Sequence, residues 1–308
     1  MAWPLPGFAP EDLLHHFKKE VLEEAMAKAE NEKSRLPARR ERLEEIQGFT
    51  LLSDVFASEA LKDLPACQHV FRILTGKREL CLRGVKTQYS ISRAATRGAR
   101  LDVFAQDVEG NLYAMEIQRR KESASPQRVR FYRAMADSES LEKGTDYAEL
   151  PELDIFYVSE TDIWQEGKTV YPVRSYLGDE SRIYEDGSRI VFVNTEVDDQ
   201  SEIAALMQYF KTADPEVDSQ GALSARVRYL KCEEGGIELM CDIAEKIEQR
   251  GREAGRVEGR EEGRLEAKHE SACSLAEIGM PAEQIAKVLK ESVSLVKEWI
   301  AEGAAPAK

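Results

Sequence analysis

The chain has 308 residues, of which 42% are hydrophobic and 32% charged, and its formal net charge is −14. This length fits one large domain or one domain with appendages, and the apolar fraction is enough to bury a sizeable core. The five cysteines form no CxxC pair, which indicates reduced thiols and argues against a zinc site or a disulfide framework. The sequence shows no leader pattern and no apolar stretch of membrane length, so we expect a soluble, cytoplasmic protein with no membrane partner.

The charge is unevenly distributed along the chain. Between Arg72 and Arg133 there are fourteen Lys and Arg against six Asp and Glu, a net charge of +8. A basic segment inside an acidic chain is typical of a local nucleic-acid interface that the total charge hides. The alternative is a chance clustering of surface charge, because residues close in sequence need not share a surface.

The first hundred residues predict helices followed by a strand. Residues 1–47 are charged and helix-prone, and we interpret them as a peripheral helical arm. From residue 48 the apolar residues recur at helical spacing, with Ser53 as a candidate N-cap. Residues 79–91 alternate as a strand does, and the Gly- and Arg-bearing segment 92–100 predicts a loop.

Residues 101–118, "LDVFAQDVEGNLYAMEIQ", predict a β-hairpin. The strands are 101–106 and 112–118, and "VEG" suits a three-residue loop with its glycine in the left-handed region. Such a loop pairs Asp107 with Asn111, and the residue numbers of every opposed pair then sum to 218. Phe104 therefore lies opposite Ala114, and the hydrophobic alternation agrees with this register.

The elements after the hairpin complete a mixed sheet. Residues 125–138 predict a helix with Ser125 as its cap and Pro126 at its first position. Residues 153–160 form a nearly continuous apolar run typical of a buried strand. Residues 169–176 and 188–196 predict further strands, and 202–211 and 225–250 predict helices. The fold class is therefore α/β: a mixed β-sheet core flanked by helices, with a helical C-terminal extension.

Glycines recur every fourth residue from 251 to 263, and an arginine follows each. This repeat leaves no apolar face, so we interpret residues 246–270 as a solvated, weakly helical connector, with a tight glycine-faced helix pair as the alternative. Residues 271–308 recover amphipathic spacing in two short helices that meet near Ser292, as in a helix-turn-helix module. Their charge balance suits packing or dimerisation better than DNA reading. The region 48–245 is then the main domain.

The predicted register places two acids opposite each other. Asp102 faces Glu116 across the hairpin, with Cβ atoms roughly 4.5–5.5 Å apart, which is destabilising unless compensated. A cationic side chain, protonation of one acid, or a divalent metal would compensate. The pair alone does not separate a metal site from an exposed face whose acids are bridged by Arg100 or Arg120. Gln118 shares the face, and its neutral amide suits the orientation of a metal-bound water, which favours a site.

Several segments in order carry a family resemblance. They are "LSDVFASEAL", the Asp102 strand with "GNLYAMEIQ", "QRVRFYRAMADS" and "LEKGTDYAELPELDIFYVSETDIW". Together, over roughly residues 48–245, they resemble the PD-(D/E)XK nuclease-family transposases, also called recombination-promoting nucleases. The resemblance implies a restriction-endonuclease-like core and a metal-dependent nuclease active site.

The resemblance also implies roles for single residues. Asp102 matches the central Asp, Glu116 and Gln118 match a Glu-x-Gln variant of (D/E)xK, and Asp54 matches the acid of the first helix. The position that is Lys in the general superfamily pattern is here Gln118, so its positive charge must come from elsewhere. Candidate sources of charge and phosphate contacts are Arg120, Arg128 (with Tyr132 one helical turn later) and Arg130.

Two functions follow from these predictions. The first is a DNA endonuclease dependent on Mg²⁺ (or Mn²⁺) and linked to recombination or transposition. The metal would be held by Asp102 and Glu116, with the Ile117 carbonyl and, through water, Asp54. A homodimer is possible, because paired cuts in a duplex favour one. The second is a catalytically silent module that keeps the fold and binds nucleic acid or a protein partner.

Overall fold

The computed structural model describes residues 41–93, 96–119, 126–178 and 181–303. The chain divides into two compact units, one up to Cys241 and one from Asp242. No disulfide links any two of the five cysteines, all of which lie in the described ranges. None of the helices in these ranges is both long and apolar enough to cross a membrane.

A six-stranded mixed sheet forms the centre of the first unit. Its spatial order is β1-β2-β3-β4-β6-β5. β1, β2 and β3 pair antiparallel, β3, β4 and β6 pair parallel, and β5 pairs antiparallel with β6 at the edge. The strands are β1 Leu82–Arg93, β2 Thr96–Asp107, β3 Leu112–Gln118, β4 Leu153–Ser159, β5 Val170–Val173 and β6 Ser188–Asn194. The predicted α/β fold class is confirmed, and the architecture is that of a restriction-endonuclease-like core.

Helices cover both faces of this sheet and continue into the second unit. The described part of α1 is residues 41–48. The others are α2 Asp54–Leu61, α3 Leu64–Thr75, α4 Pro126–Ser140, α5 Glu202–Thr212, α6 Ala222–Cys232, α7 Glu234–Glu277, α8 Ala282–Leu289 and α9 Val293–Gly303, with one 3₁₀ turn at Tyr147–Glu149. Most of the predicted peripheral arm, and Ser125, lie outside the described residues. Pro126 opens α4 as predicted.

The first helical region consists of two helices, α2 and α3. The carboxylate of Asp63 accepts a hydrogen bond from the Ala66 amide, which starts the second helix only two residues after the first ends. The apolar spacing is shared by both helices, so it concealed the break. Ser53 occupies the N-cap position of α2, but its side chain makes no capping hydrogen bond.

The hairpin has the predicted register and turn. Phe104 pairs with Ala114, and Gln106 with Leu112. Gly110 has a φ of +98°, and the Asp107 amide donates to the Asn111 carbonyl at 3.0 Å. β3 has the predicted bounds, but β2 begins at Thr96, so most of the predicted loop 92–100 is strand. Pairing with β1 outweighs the local preference of glycine and arginine for a loop.

Both faces of the hairpin are buried. Tyr113 packs against Phe71 of α3, with ring centroids 5.6 Å apart. On the other face, Leu112 and Ala114 join a core cluster with Val129 and Met135 of α4. The acids at the far end of the hairpin therefore do not lie on an open, solvated surface.

The glycine repeat lies within the uninterrupted helix α7 and is exposed to solvent. Ion pairs one turn apart support it, between Arg252 and Glu248, Arg256 and Glu253, and Arg264 and Glu261. The two predicted C-terminal helices are present as α8 and α9. Their core consists of Ala272, Ile285, Ala286, Val296 and Trp299, and Ser292 accepts a hydrogen bond from the Leu295 amide at 3.3 Å.

Candidate active site

The β2–β3 ladder ends directly before Asp102 and Glu116. Val103–Met115 is its last pair, and beyond it side chains replace main-chain partners. The Asp102 amide donates to Glu116 Oε1 at 3.2 Å, and the Ile117 amide donates to Asp102 Oδ2 at 2.8 Å. Each acid thus accepts a hydrogen bond from the backbone of the opposite strand, just beyond the last ladder pair.

Both carboxyls are buried and electrostatically strained. Glu116 is 1% exposed and Asp102 is 9% exposed. Burial, followed by repulsion from Asp102, raises the pKa of Glu116 to about 9. Burial raises the pKa of Asp102 to about 6, although the hydrogen bond from the Ile117 amide acts in the opposite direction. Glu116 Oε2 is buried and has no hydrogen-bond partner among the described residues, which is unusual for a buried carboxylate oxygen.

The guanidinium of Arg128 lies close to the two acids but makes no hydrogen bond with them. Arg128 Nη2 lies 3.9 Å from Glu116 Oε2, which is beyond hydrogen-bond distance. Arg128 Nε donates to the Tyr132 hydroxyl at 3.0 Å, and its guanidinium lies 5.1 Å from the centre of the Tyr132 ring. The predicted one-turn partnership of Arg128 and Tyr132 is therefore present, and it fixes a positive charge beside the acids.

A cavity of about 700 Å³ opens onto this group. Its polar wall is formed by Ser53, Asp54, Arg100, Asp102, Gln118, Arg119, Arg128 and Tyr132, and Ile117 also lines it. Glu116 does not line the cavity, because it lies buried between the strands. Arg130 is exposed on α4 and does not line the cavity, and Arg120 lies outside the described residues.

The structure places Asp54 at the edge of this arrangement. It is exposed at the start of α2, and its charge contributes to the raised pKa of Asp102. Within the described ranges, no three His, Cys, Asp or Glu side chains converge closely enough to hold a metal ion together. Two carboxylates, Asp102 and Glu116, are the compact acidic pair, and Asp54 is a more distant third.

Two arginines of the cavity wall were not assigned as phosphate contacts from the sequence. Arg100 lies in β2 and its charge opposes the rise in the pKa of both acids. Arg119 directly follows β3 and forms an ion pair with Glu160 at 3.6 Å. Their closeness to Asp102 and Gln118 in sequence was the available signal, since each is one or two residues from a predicted site residue.

A family model described as "PD-(D/E)XK nuclease family transposase" matches residues 81–270. The chain belongs to this family. Asp102, Glu116, Gln118 and Arg128 fall within the match, whereas Asp54 precedes it. PD-(D/E)XK nucleases generally use divalent metal ions and act on DNA. Searches of curated proteins and of solved structures found no match.

Proposed function

We propose that this PD-(D/E)XK family member is a metal-dependent endonuclease that hydrolyses DNA phosphodiester bonds in recombination or transposition. The observation that carries the proposal is the Oε2 of Glu116, which is buried beside the Asp102 carboxylate and has no hydrogen-bond partner within the described ranges. Such an oxygen is costly in a purely structural role. It lies next to a cavity whose wall includes three arginines, which suits a phosphodiester backbone.

The residues present fit Mg²⁺ or Mn²⁺. Mg²⁺ commonly uses only one or two protein carboxylates and keeps several waters, so Asp102 and Glu116 suffice without a third acid. The Ile117 carbonyl and, through water, Asp54 would complete the protein's contribution. When bound, a divalent ion lowers the pKa of a water and offsets the charge that develops on the phosphate.

The remaining residues bind and orient the substrate. Gln118 lines the cavity, and its neutral amide would align the attacking water without competing for the ion. Arg128 supplies the positive charge that the missing lysine would give, and Tyr132 holds its guanidinium in place. Arg130 and Arg120 stay predictions as contacts to the DNA backbone. A homodimer and a cytoplasmic location also stay predictions.

Cleavage of plasmid and linear DNA in Mg²⁺ or Mn²⁺ tests this function. Wild-type protein is expected to cut, whereas Asp102→Asn and Glu116→Gln, which keep the side-chain volumes, are expected not to. Folding of each variant is checked by circular dichroism. A correctly folded wild-type protein that cuts neither DNA form with either metal would contradict the proposal.

The closeness of Arg128 to Glu116 favours a second candidate function. The guanidinium at 3.9 Å, together with the raised pKa values of both acids, allows the fold to neutralise the pair without a metal. A catalytically silent module that binds nucleic acid through its arginines is consistent with this. It predicts DNA retention that needs no divalent ion and is unchanged by Glu116→Gln, measured by fluorescence anisotropy.

A further inference from the structure

One residue inside a strand has a backbone conformation that strands do not use. Gln88 lies in the middle of β1 with a φ of +52°, whereas strand residues have a negative φ. The described chain has four other non-glycine residues with a positive φ: Gln165, Gln200, Ala213 and Lys290. All four lie in loops or at helix C-termini. Side-chain clashes make this region unfavourable for residues other than glycine.

The position of Gln88 relates it to the acids. The β1–β2 ladder pairs Thr87 with Val103 and Tyr89 with Leu101. Gln88 in β1 therefore lies opposite Asp102 in β2. At the same level on the other side of β2, the ladder with β3 ends. The positive φ of Gln88 in β1 and the end of the β2–β3 ladder therefore coincide at Asp102.

We propose that Gln88 is a positioning residue for the acid pair, an inference that rests on the proposed nuclease function. Its left-handed backbone bends the β1–β2 ribbon and holds β2 away from β3, which makes room for the two carboxyls. With β1 extended throughout, β2 would continue alongside β3. In an uninterrupted antiparallel ladder the Ile117 amide would find a main-chain carbonyl of β2, and the Asp102 amide, which points towards β1 in this alternation, would find the Gln88 carbonyl.

Substitutions graded by backbone preference test this inference. Gln88→Gly accepts a positive φ without cost, Gln88→Ala resists it, and the β-branched Gln88→Val resists it most and favours an extended strand. Titration calorimetry should show Mn²⁺ affinity decreasing in the order Gly, Gln, Ala, Val. The decrease from first to last should be about tenfold or more, the size of effect seen when residues that orient metal ligands are replaced. The metal-free Gly variant should melt about 2–4 °C above wild type.

Gln200 provides a matched control. It is also a glutamine with a positive φ, +64°, but it lies in an exposed loop away from the cavity. The same three substitutions there should change the melting temperature in the same order and leave Mn²⁺ affinity unchanged. Mn²⁺ affinity that stays within about twofold of wild type in every folded position-88 variant would overturn the inference. If the Val variant does not fold, the Gly and Ala variants decide.

A second measurement separates failure of this inference from failure of the nuclease proposal. If wild-type protein binds no Mn²⁺, the proposed function fails, but amide hydrogen exchange at Asp102 and Ile117 in the metal-free protein still reports on the ribbon. Exchange at these two amides should change by about fivefold or more in the Ala or Val variant and not in the position-200 series. Unchanged exchange would overturn the positioning role.

Discussion

The two ends of the β2–β3 hairpin bury acids of the same type with opposite outcomes. Asp107, at the loop end, is 4% exposed and accepts hydrogen bonds from the Asn111 amide and side chain, the Glu109 amide and the Tyr113 hydroxyl. Burial acts to raise the pKa of Asp107, but these bonds outweigh it and the pKa is lowered. At the open end, Asp102 and Glu116 accept fewer hydrogen bonds, and burial raises their pKa values.

The comparison shows that burial of a carboxylate does not by itself mark a site. Asp107 is surrounded by donors, so its charge stabilises the turn. In the part of the chain that the structure describes, Glu116 has one oxygen without a donor and a second acid beside it, so its charge destabilises the metal-free fold. Fewer donors and a more strongly desolvated environment together distinguish the candidate metal-binding end from the structural end.

The largest expected effect is on cleavage. Glu116→Gln and Asp102→Asn should each lower the rate of DNA cleavage by about a hundredfold or more, because transition-state charge loses its stabilisation. Asp107→Asn should retain the wild-type rate per folded molecule. The rates are measured by gel-based cleavage of labelled duplex DNA. An equal loss of cleavage rate in all three variants would contradict the distinction between a metal-binding end and a structural end of the hairpin.

Metal affinity should depend strongly on pH. A metal requires both acids to be deprotonated, and the pKa of Glu116 is about 9 and that of Asp102 about 6. The apparent Mn²⁺ affinity should therefore increase by up to about tenfold per pH unit as the pH rises from 6 towards 9. Calorimetry in buffers of different ionisation enthalpy should also show proton release, and a pH-independent affinity would contradict the raised pKa values.

Stability of the metal-free protein should depend on pH in a direction set by Glu116. Its folded-state pKa of about 9 exceeds the ordinary value of 4.5, so its contribution to stability is complete below about pH 4.5 and is lost as pH rises towards 9. This loss is at most about 1.4 kcal/mol per pH unit. Glu116→Gln should flatten the decrease in urea-unfolding free energy between pH 5 and 9, and unchanged curvature would count against the assignment.

Asp107 should behave in the opposite sense. Its pKa is lowered from the ordinary 3.8, so its contribution is present above that value and is lost as pH falls. Asp107→Ala leaves the buried Tyr113 hydroxyl without its acceptor and should lower the free energy of unfolding by about 1–3 kcal/mol. Mn²⁺ affinity should not change, and a large change would show that the two ends of the hairpin are coupled.

The smallest effect is expected at the turn itself. Gly110 has a φ of +98°, which a residue with a side chain adopts at a cost, so Gly110→Ala should lower the free energy of unfolding by about 1 kcal/mol. Open space surrounds the position of the added Cβ, so backbone strain is the whole effect. A loss several times larger in urea unfolding would indicate a contact beyond the turn.

The sequence predicted the hairpin well because its information is local. A three-residue loop and the alternation on both sides fixed the pairing of Phe104 with Ala114, and hence the facing acids. The extension of β2 back to Thr96 was missed, because its partner β1 lies in another segment and local composition favoured a loop. Burial of the two faces depends on α3 and α4, which no alternation within the hairpin reveals.

The site was predictable only in part for the same reason. Asp102, Glu116, Gln118 and Arg128 follow from the hairpin, the next helix and the family resemblance. Each acid accepts a hydrogen bond from a backbone amide of the opposite strand, and Gln88 has a left-handed backbone. Both features depend on how β1, β2 and β3 are arranged relative to one another. Those features arise from tertiary geometry and have no signature in a single stretch of sequence.

The buried Oε2 of Glu116 also has an evolutionary consequence. In a gene copy no longer under selection for the proposed nuclease activity, replacing this carboxylate with a neutral side chain would stabilise the fold, so the carboxylate should be lost early. Asp107 would persist in the same copy, because the turn needs its charge. Decayed descendants of such a gene should therefore be recognisable by which of the two acids disappears first.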